Sequence, residues 1–237
     1  MREKVSVLAR MRQLLILGVS LYLGVCVFMF LMQSRFLYNI DTTDIAGFVD
    51  SVPRATNLHL VTADGETLQA WWVPPRDDSE VIYLYLQGNA ETLISRNERF
   101  GVLTKQGAGL LAVSWRGYGG SSGVPGEAGL RLDAVAAYEW LQAQYAPARI
   151  IVFGESLGTG VAVWLSSEHL SGGLVLDSPY TSILAIAKLQ YPWLPVTWLA
   201  RDRFESLALA ANIAVSVFVF HCTDDPLIPF AMARILV

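Results

Sequence analysis

Ile150-Ile151-Val152-Phe153-Gly154-Glu155-Ser156-Leu157-Gly158-Thr159-Gly160 is the stretch on which the reading of this 237-residue chain turns. Residues 150–153 are apolar and rich in β-branched types, which marks a short buried strand. A helical run over 156–169 begins directly after Gly154-Glu155. A serine between two glycines at a strand–helix junction sits on a sharp turn, its hydroxyl raised beside the helix N-terminus. Ser156 is therefore the candidate nucleophile. Gly154 and Gly158 leave room for the turn, and the backbone N–H of Leu157 is a candidate oxyanion donor. The competing reading is a glycine-rich connection that happens to contain a serine.

Outward from this stretch, strand and helix patterns alternate. Residues 59–62 and 67–73 flank Asp64-Gly65, a hairpin signal. Apolar runs at 81–86, 109–114, 173–176 and 214–220 read as further strands, and 95–106 and 130–145 as helices. Short, almost wholly apolar strands between helices predict an α/β fold whose mostly parallel sheet is covered on both faces, with sites at the carboxyl ends of the strands.

Two more motifs fall at such ends. Gln87-Gly88-Asn89-Ala90 follows the 81–86 run, where a tight loop can aim the backbone N–H of Asn89 at an oxyanion; an ordinary strand–helix turn is the alternative. His221-Cys222-Thr223-Asp224-Asp225-Pro226-Leu227-Ile228-Pro229 follows the 214–220 run. An acid here comes after the nucleophile in the chain, as a Ser…Asp…His order requires, and Asp225 is chosen over its neighbour Asp224.

The series QGNA, SWRGYGGSSG, FGESLGTG, LDSPYTSI, DRF and HCTDDPLIP resembles the membrane-anchored branch of the α/β-hydrolase superfamily, near the abhydrolase-domain depalmitoylases and serine-aminopeptidase-like hydrolases. The likeness runs over 34–229. It implies Ser156 as nucleophile, Asp225 as triad acid, and Asn89 with Leu157 as oxyanion donors, while Trp115-Arg116-Gly117-Tyr118-Gly119 is a positional turn. The family usually has His-Gly where this chain has Gln87-Gly88 and His221-Cys222. It also carries its catalytic histidine on a loop after the acid. His59, His169 and His221 all precede Asp225. The resemblance thus implies an α/β-hydrolase domain over 33–237 that stops short of the last strand, the last helix and the base.

Leu14 to Met32 is free of charge, and 19 residues at 1.5 Å rise cover about 28 Å, close to a bilayer core. Arg2, Lys4, Arg10 and Arg12 precede it, so the positive-inside rule places 1–13 in the cytoplasm, 14–32 across the membrane as a signal anchor, and the domain on the outer side. A cleaved signal peptide fits less well, because its apolar core would be about 7–15 residues long with an A-x-A-like exit, whereas this core is longer and exits on Gln33-Ser34-Arg35-Phe36. A core helix would show a polar face. From residue 36 onward there are 12 basic and 20 acidic residues, against a net charge of −4 for the whole chain, which argues against nucleic acid as a partner. Cys26 and Cys222 lie in different parts and form no intradomain pair.

Residues 179–203 hold Tyr191-Pro192-Trp193-Leu194-Pro195 and Trp198. They read as an acyl-pocket wall, as a segment that touches the bilayer, or as a helix packed on the core with a proline-stiffened loop. No metal-ligand spacing and no phosphate-binding glycine loop is present, so no metal or cofactor is expected. Two functions remain. One is a membrane-anchored serine hydrolase of ester, thioester or amide bonds, acting on a small or acylated substrate and short of its histidine. The other is a catalytically dead, membrane-tethered protein of the same fold, a truncated copy or a binding module.

Overall fold

The computed structural model describes residues 2–78 and 80–236, with side chains from Val7 onward. Helix α1 runs over Arg2–Leu37. Within it Val7–Leu37 is long and apolar enough to cross a membrane, and its most apolar window is only 6% buried, which sets aside the core-helix reading. After a short 3-10 turn at Ala46–Ser51 come β1 (Thr56–Val61) and β2 (Thr67–Val73). They pair antiparallel around Asp64-Gly65, where Gly65 has φ 89° and so suits the turn.

Strand β3 is Ile82–Leu86, α2 is Asn97–Thr104, β4 is Gly109–Val113 and α3 is Glu127–Gln142. Strand β5 is Ile150–Glu155, α4 is Leu157–Glu168 and β6 is Gly173–Asp177. Three short helices follow: α5 (Ile183–Gln190), α6 (Val196–Leu199) and α7 (Ser206–Ala210). Strand β7 (Val217–Phe220) and α8 (Phe230–Leu236) come last.

Among the described residues the sheet has seven strands, in the order β1-β2-β4-β3-β5-β6-β7. Its β1–β2 and β2–β4 pairs are antiparallel and the other four parallel. Alternate residues feed two cores. Leu84, Leu111 and Val152 face α3 and α4, whereas Tyr85, Leu110 and Phe153 pack with Phe100 of α2 on the other face. Both faces are covered, as the near-continuous apolar strands predict.

Several boundaries differ from the sequence reading. The helix expected over 95–106 opens with a 3-10 turn at Leu93–Arg96. The one expected over 130–145 starts at Glu127, whose carboxylate accepts the backbone N–H groups of Arg203 and Phe204 at 2.7 and 3.0 Å. The last strand begins at Val217 instead of 214, and among the described residues it forms the sheet edge.

Candidate active site

The turn around Ser156 is strained and tightly enclosed. Ser156 has φ 47° and ψ −114°, a left-handed backbone that costs a non-glycine residue of order 1–3 kcal/mol and persists only where its surroundings enforce it. Those surroundings are close. A Cβ on Gly154 would lie 2.7 Å from the Ala162 Cβ and from the Gly158 carbonyl oxygen, and one on Gly158 would overlap the carbonyl oxygens of Leu86 and Gln87. Only glycine lets α4 approach the end of β3 so closely. The Ser156 N–H donates to the Asp177 carbonyl at 2.8 Å, tying the turn to β6. Leu157 opens α4, so the helix itself leaves its N–H free. The fully buried Tyr180 hydroxyl donates to the Leu157 carbonyl at 3.0 Å, and burial keeps that phenol protonated.

Beneath the turn lies a charge network that the strand–turn–helix pattern does not reveal. Glu155 takes three hydrogen bonds from Arg96, at 2.6–3.0 Å, and one from the Tyr85 hydroxyl. Arg99 Nη1 stands 3.4 Å from Glu155 and 2.8 Å from Asp177, so α2 bridges the ends of β5 and β6. Burial raises the Asp177 carboxyl above its ordinary range, with Arg99 pulling the other way. Four charges spaced through 96–177 show no periodicity, so only the fold brings them together.

Asn89 borders the same cavity as Ser156 and Leu157. Its backbone N–H has no partner among the described residues, consistent with a donor left open. The side chain does something the sequence did not show. Its Oδ1 accepts from the Tyr118 hydroxyl at 2.8 Å and the Asn39 N–H at 3.0 Å, and its Nδ2 donates to the Leu37 carbonyl at 2.6 Å. Asn89 thus ties the loop after β3 to the end of α1. Arg116, read as positional, is buried and bonds to Asp133 at 2.8 Å and Asp64 at 2.7 Å, which pins the turn after β4 to α3 and the hairpin.

Asp225 Oδ1 accepts the N–H groups of Leu227 and Ile228, both at 2.8 Å, so the carboxylate shapes the loop that brings Leu227 and Ile228 to the cavity. Its Oδ2 is 3.6 Å from His221 Nε2, which is also 2.8 Å from the Ile228 carbonyl. His221 Nδ1 is buried and unpartnered. Among the described residues no histidine hydrogen-bonds the Ser156 hydroxyl. His59 lies on the edge strand β1, and His169 packs against Tyr138 and Trp164.

The cavity over Ser156 holds about 240 Å³. One wall is α5 and α6, which favours the pocket-wall reading of 179–203; the other is the end of α1, through Met29, Gln33, Phe36 and Leu37. Leu184, Leu194 and Val196 form with Cys26 of α1 a small core of their own. No group of three or more potential metal ligands occurs among the described residues.

The chain is 36% identical over 217 residues to an uncharacterized protein of Mycobacterium tuberculosis, covering 90% of this chain and 77% of that one. It is 32% identical to the lysophosphatidylserine lipase ABHD12 of Bos taurus over 70% of this chain, and spans about half (47%) of that protein's length. The Pyrococcus furiosus esterase Pf2001 has the same fold, with TM-score 0.66 at 22% identity over 83% of this chain and 81% of the other. Residues 84–233 match the family described as alpha/beta hydrolase fold. That match runs from β3 through the turn at Ser156 to α8, so the chain belongs to the α/β-hydrolase family.

Proposed function

We propose that this protein is a membrane-anchored serine hydrolase that transfers an acyl group from an ester, thioester or amide to Ser156. The observation that carries the reading is the strained Ser156, held between β5 and α4 and opening into an apolar cavity. Its Oγ attacks the substrate carbonyl, and the N–H groups of Leu157 and Asn89 receive the oxyanion, each worth about 3–4 kcal/mol in such sites. Asp225 is the acid of the triad. The apolar lining suits an acyl chain, and likeness to a lysophosphatidylserine lipase supports a lipid ester as the substrate class. Helix α1 anchors the domain, with its basic N-terminal flank in the cytoplasm and the domain on the opposite side.

A proton on Ser156 needs a base. Among the described residues none of His59, His169 and His221 bonds to its hydroxyl, so in this reading Ser156 and Asp225 stand there without a paired base. Serine hydrolases missing a triad member keep roughly 10³–10⁴-fold catalysis over water from the oxyanion hole and binding. The same observation favours the second reading, a tethered protein of this fold that binds without turning over.

A fluorophosphonate probe and a p-nitrophenyl ester separate the two. The hydrolase reading expects slow labelling that Ser156→Ala abolishes, with turnover near the residual level. Labelling that survives the substitution overturns the nucleophile assignment. No labelling at all, with ester analogues still bound, leaves the binding module.

A further inference from the structure

Helix α1 is more than a tether, because it forms one side of the cavity over Ser156. Met29 and Leu37 both border that cavity and are eight residues apart, so its wall follows the helix for about 12 Å. Leu37 stands at the Asn89 end, beside the open N–H groups, and Met29 lies inside the apolar span. The cavity therefore runs from the catalytic end down along the helix toward the membrane.

The wall facing α1 goes with it. The Tyr22 hydroxyl donates to the Trp193 carbonyl at 3.0 Å. Tyr22 precedes Met32 by ten residues, so with Leu14 to Met32 across the bilayer, Trp193 lies roughly 10–15 Å inside the outer boundary for ordinary helix tilts. The exposed surface of α5, α6 and the turn between them carries large apolar side chains. Trp198 is 88% exposed, Leu189 60% and Trp193 54%. Backbone groups in such a place need internal partners, and α1 supplies them. Gln33 Nε2 donates to the Leu199 carbonyl at 3.2 Å, and Gln33 Oε1 accepts the Arg201 N–H at 2.8 Å. Arg201 stacks over Phe30 at 4.1 Å, where the span meets its polar rim.

We infer that α5 and α6 are immersed in the outer leaflet beside α1, and that the cavity takes the acyl chain of a leaflet lipid sideways, with Met29 and Leu194 at its deep end. The carbonyl of a glycerolipid lies at the border between hydrocarbon and headgroups, which is where α1 leaves the span and Ser156 waits. The ester as reacting bond rests on the hydrolase reading; the immersion and the entry path do not.

The full chain is placed in phosphatidylcholine vesicles, and the emission of Trp198 is taken as the difference between wild type and Trp198→Phe. Lipids brominated on their acyl chains are expected to remove most of this emission, and aqueous acrylamide little of it. A lysophosphatidylcholine with a diazirine at its acyl end is expected to crosslink to Met29 and Leu194, equally well in Ser156→Ala. Quenching by acrylamide alone places the two helices in water and overturns the inference. Lipid crosslinks absent from Met29 and Leu194 overturn it as well. Because both readouts need no turnover, failed fluorophosphonate labelling with intact quenching and crosslinking sinks the hydrolase reading alone.

Discussion

On one side of Ser156, β5, α4 and the loop after β3 meet almost backbone to backbone; on the other, α1 meets α5 and α6 through side chains and a few long-range hydrogen bonds. The first side has no slack, since Gly158 stands against two carbonyl oxygens and Glu155 is held by Arg96, Arg99 and Tyr85. The second side has a separate core of only four buried residues, Cys26, Leu184, Leu194 and Val196. The strained backbone of Ser156 persists only in a frame that cannot relax. The proposed wall for an acyl chain needs packing that can. Gly158→Ala tests the frame most severely. Its added methyl has nowhere to go except by pushing α4 off β3, so a loss of about 3 kcal/mol is expected in denaturant unfolding of the detergent-solubilised chain. A loss under about 1 kcal/mol would mean the frame yields as easily as the other wall.

Glu155→Gln is the next largest. It leaves Arg96 and Arg99 facing each other without the carboxylate between them. Removing one partner of a fully buried pair costs about 3–5 kcal/mol. Both arginines here are partly exposed, at 25% and 31%, so about 2 kcal/mol is expected. Fluorophosphonate labelling of Ser156 should slow in parallel. Unchanged labelling with lowered stability would separate the network from the turn at Ser156.

The frame could be read in the sequence because its information is local. Strand, Gly154, Ser156, Gly158 and helix occupy consecutive positions, and periodicity reports them directly. The strand-end motifs at Asn89 and Asp225 share this property. The Glu155 network could not be read, because Arg96, Arg99 and Asp177 reach it from separate elements and charged residues ordinarily mark solvated faces. The join between α1 and 179–203 was hidden for a related reason. Tyr22 and Trp193 are 171 residues apart, and nothing in either segment names the other. The sequence left three readings of 179–203 open, and only the fold places it at the cavity.

Asp133 gives the frame a pH signature. Burial pushes its carboxyl up to about 6 even with Arg116 against it. In the unfolded chain it titrates near the ordinary 3.8. Between these values the folded state holds the proton more tightly, so this contribution to stability falls as pH rises, and its full penalty is present above about 6. The opposite sign belongs to Asp64, whose hydrogen bonds from Arg116 and Thr62 hold it below the ordinary range, so its contribution is lost only in stronger acid. Subtracting the unfolding curve of Asp133→Asn from that of wild type isolates the first effect. The difference should change by about 1–2 kcal/mol between about pH 4 and about pH 6, wild type losing ground as pH rises. A flat difference would show that Arg116 fully offsets the burial.

Gln33→Ala probes the looser wall and should give the smallest effect. Gln33 is the one side chain that both donates to the Leu199 carbonyl and accepts from the Arg201 N–H, so it clamps the end of α6 to α1 from both sides. Losing such a pair at a partly buried site is worth about 1 kcal/mol. The contrast predicts where that energy is felt. If the wall opens as a local unit, the amides of α5 and α6 should exchange hydrogen about fivefold faster, while β5, α4 and the global unfolding midpoint stay unchanged. Exchange that accelerates equally across α4 would mean the two walls open together. The cavity would then be one cooperative body, and the division between rigid frame and yielding wall would be lost.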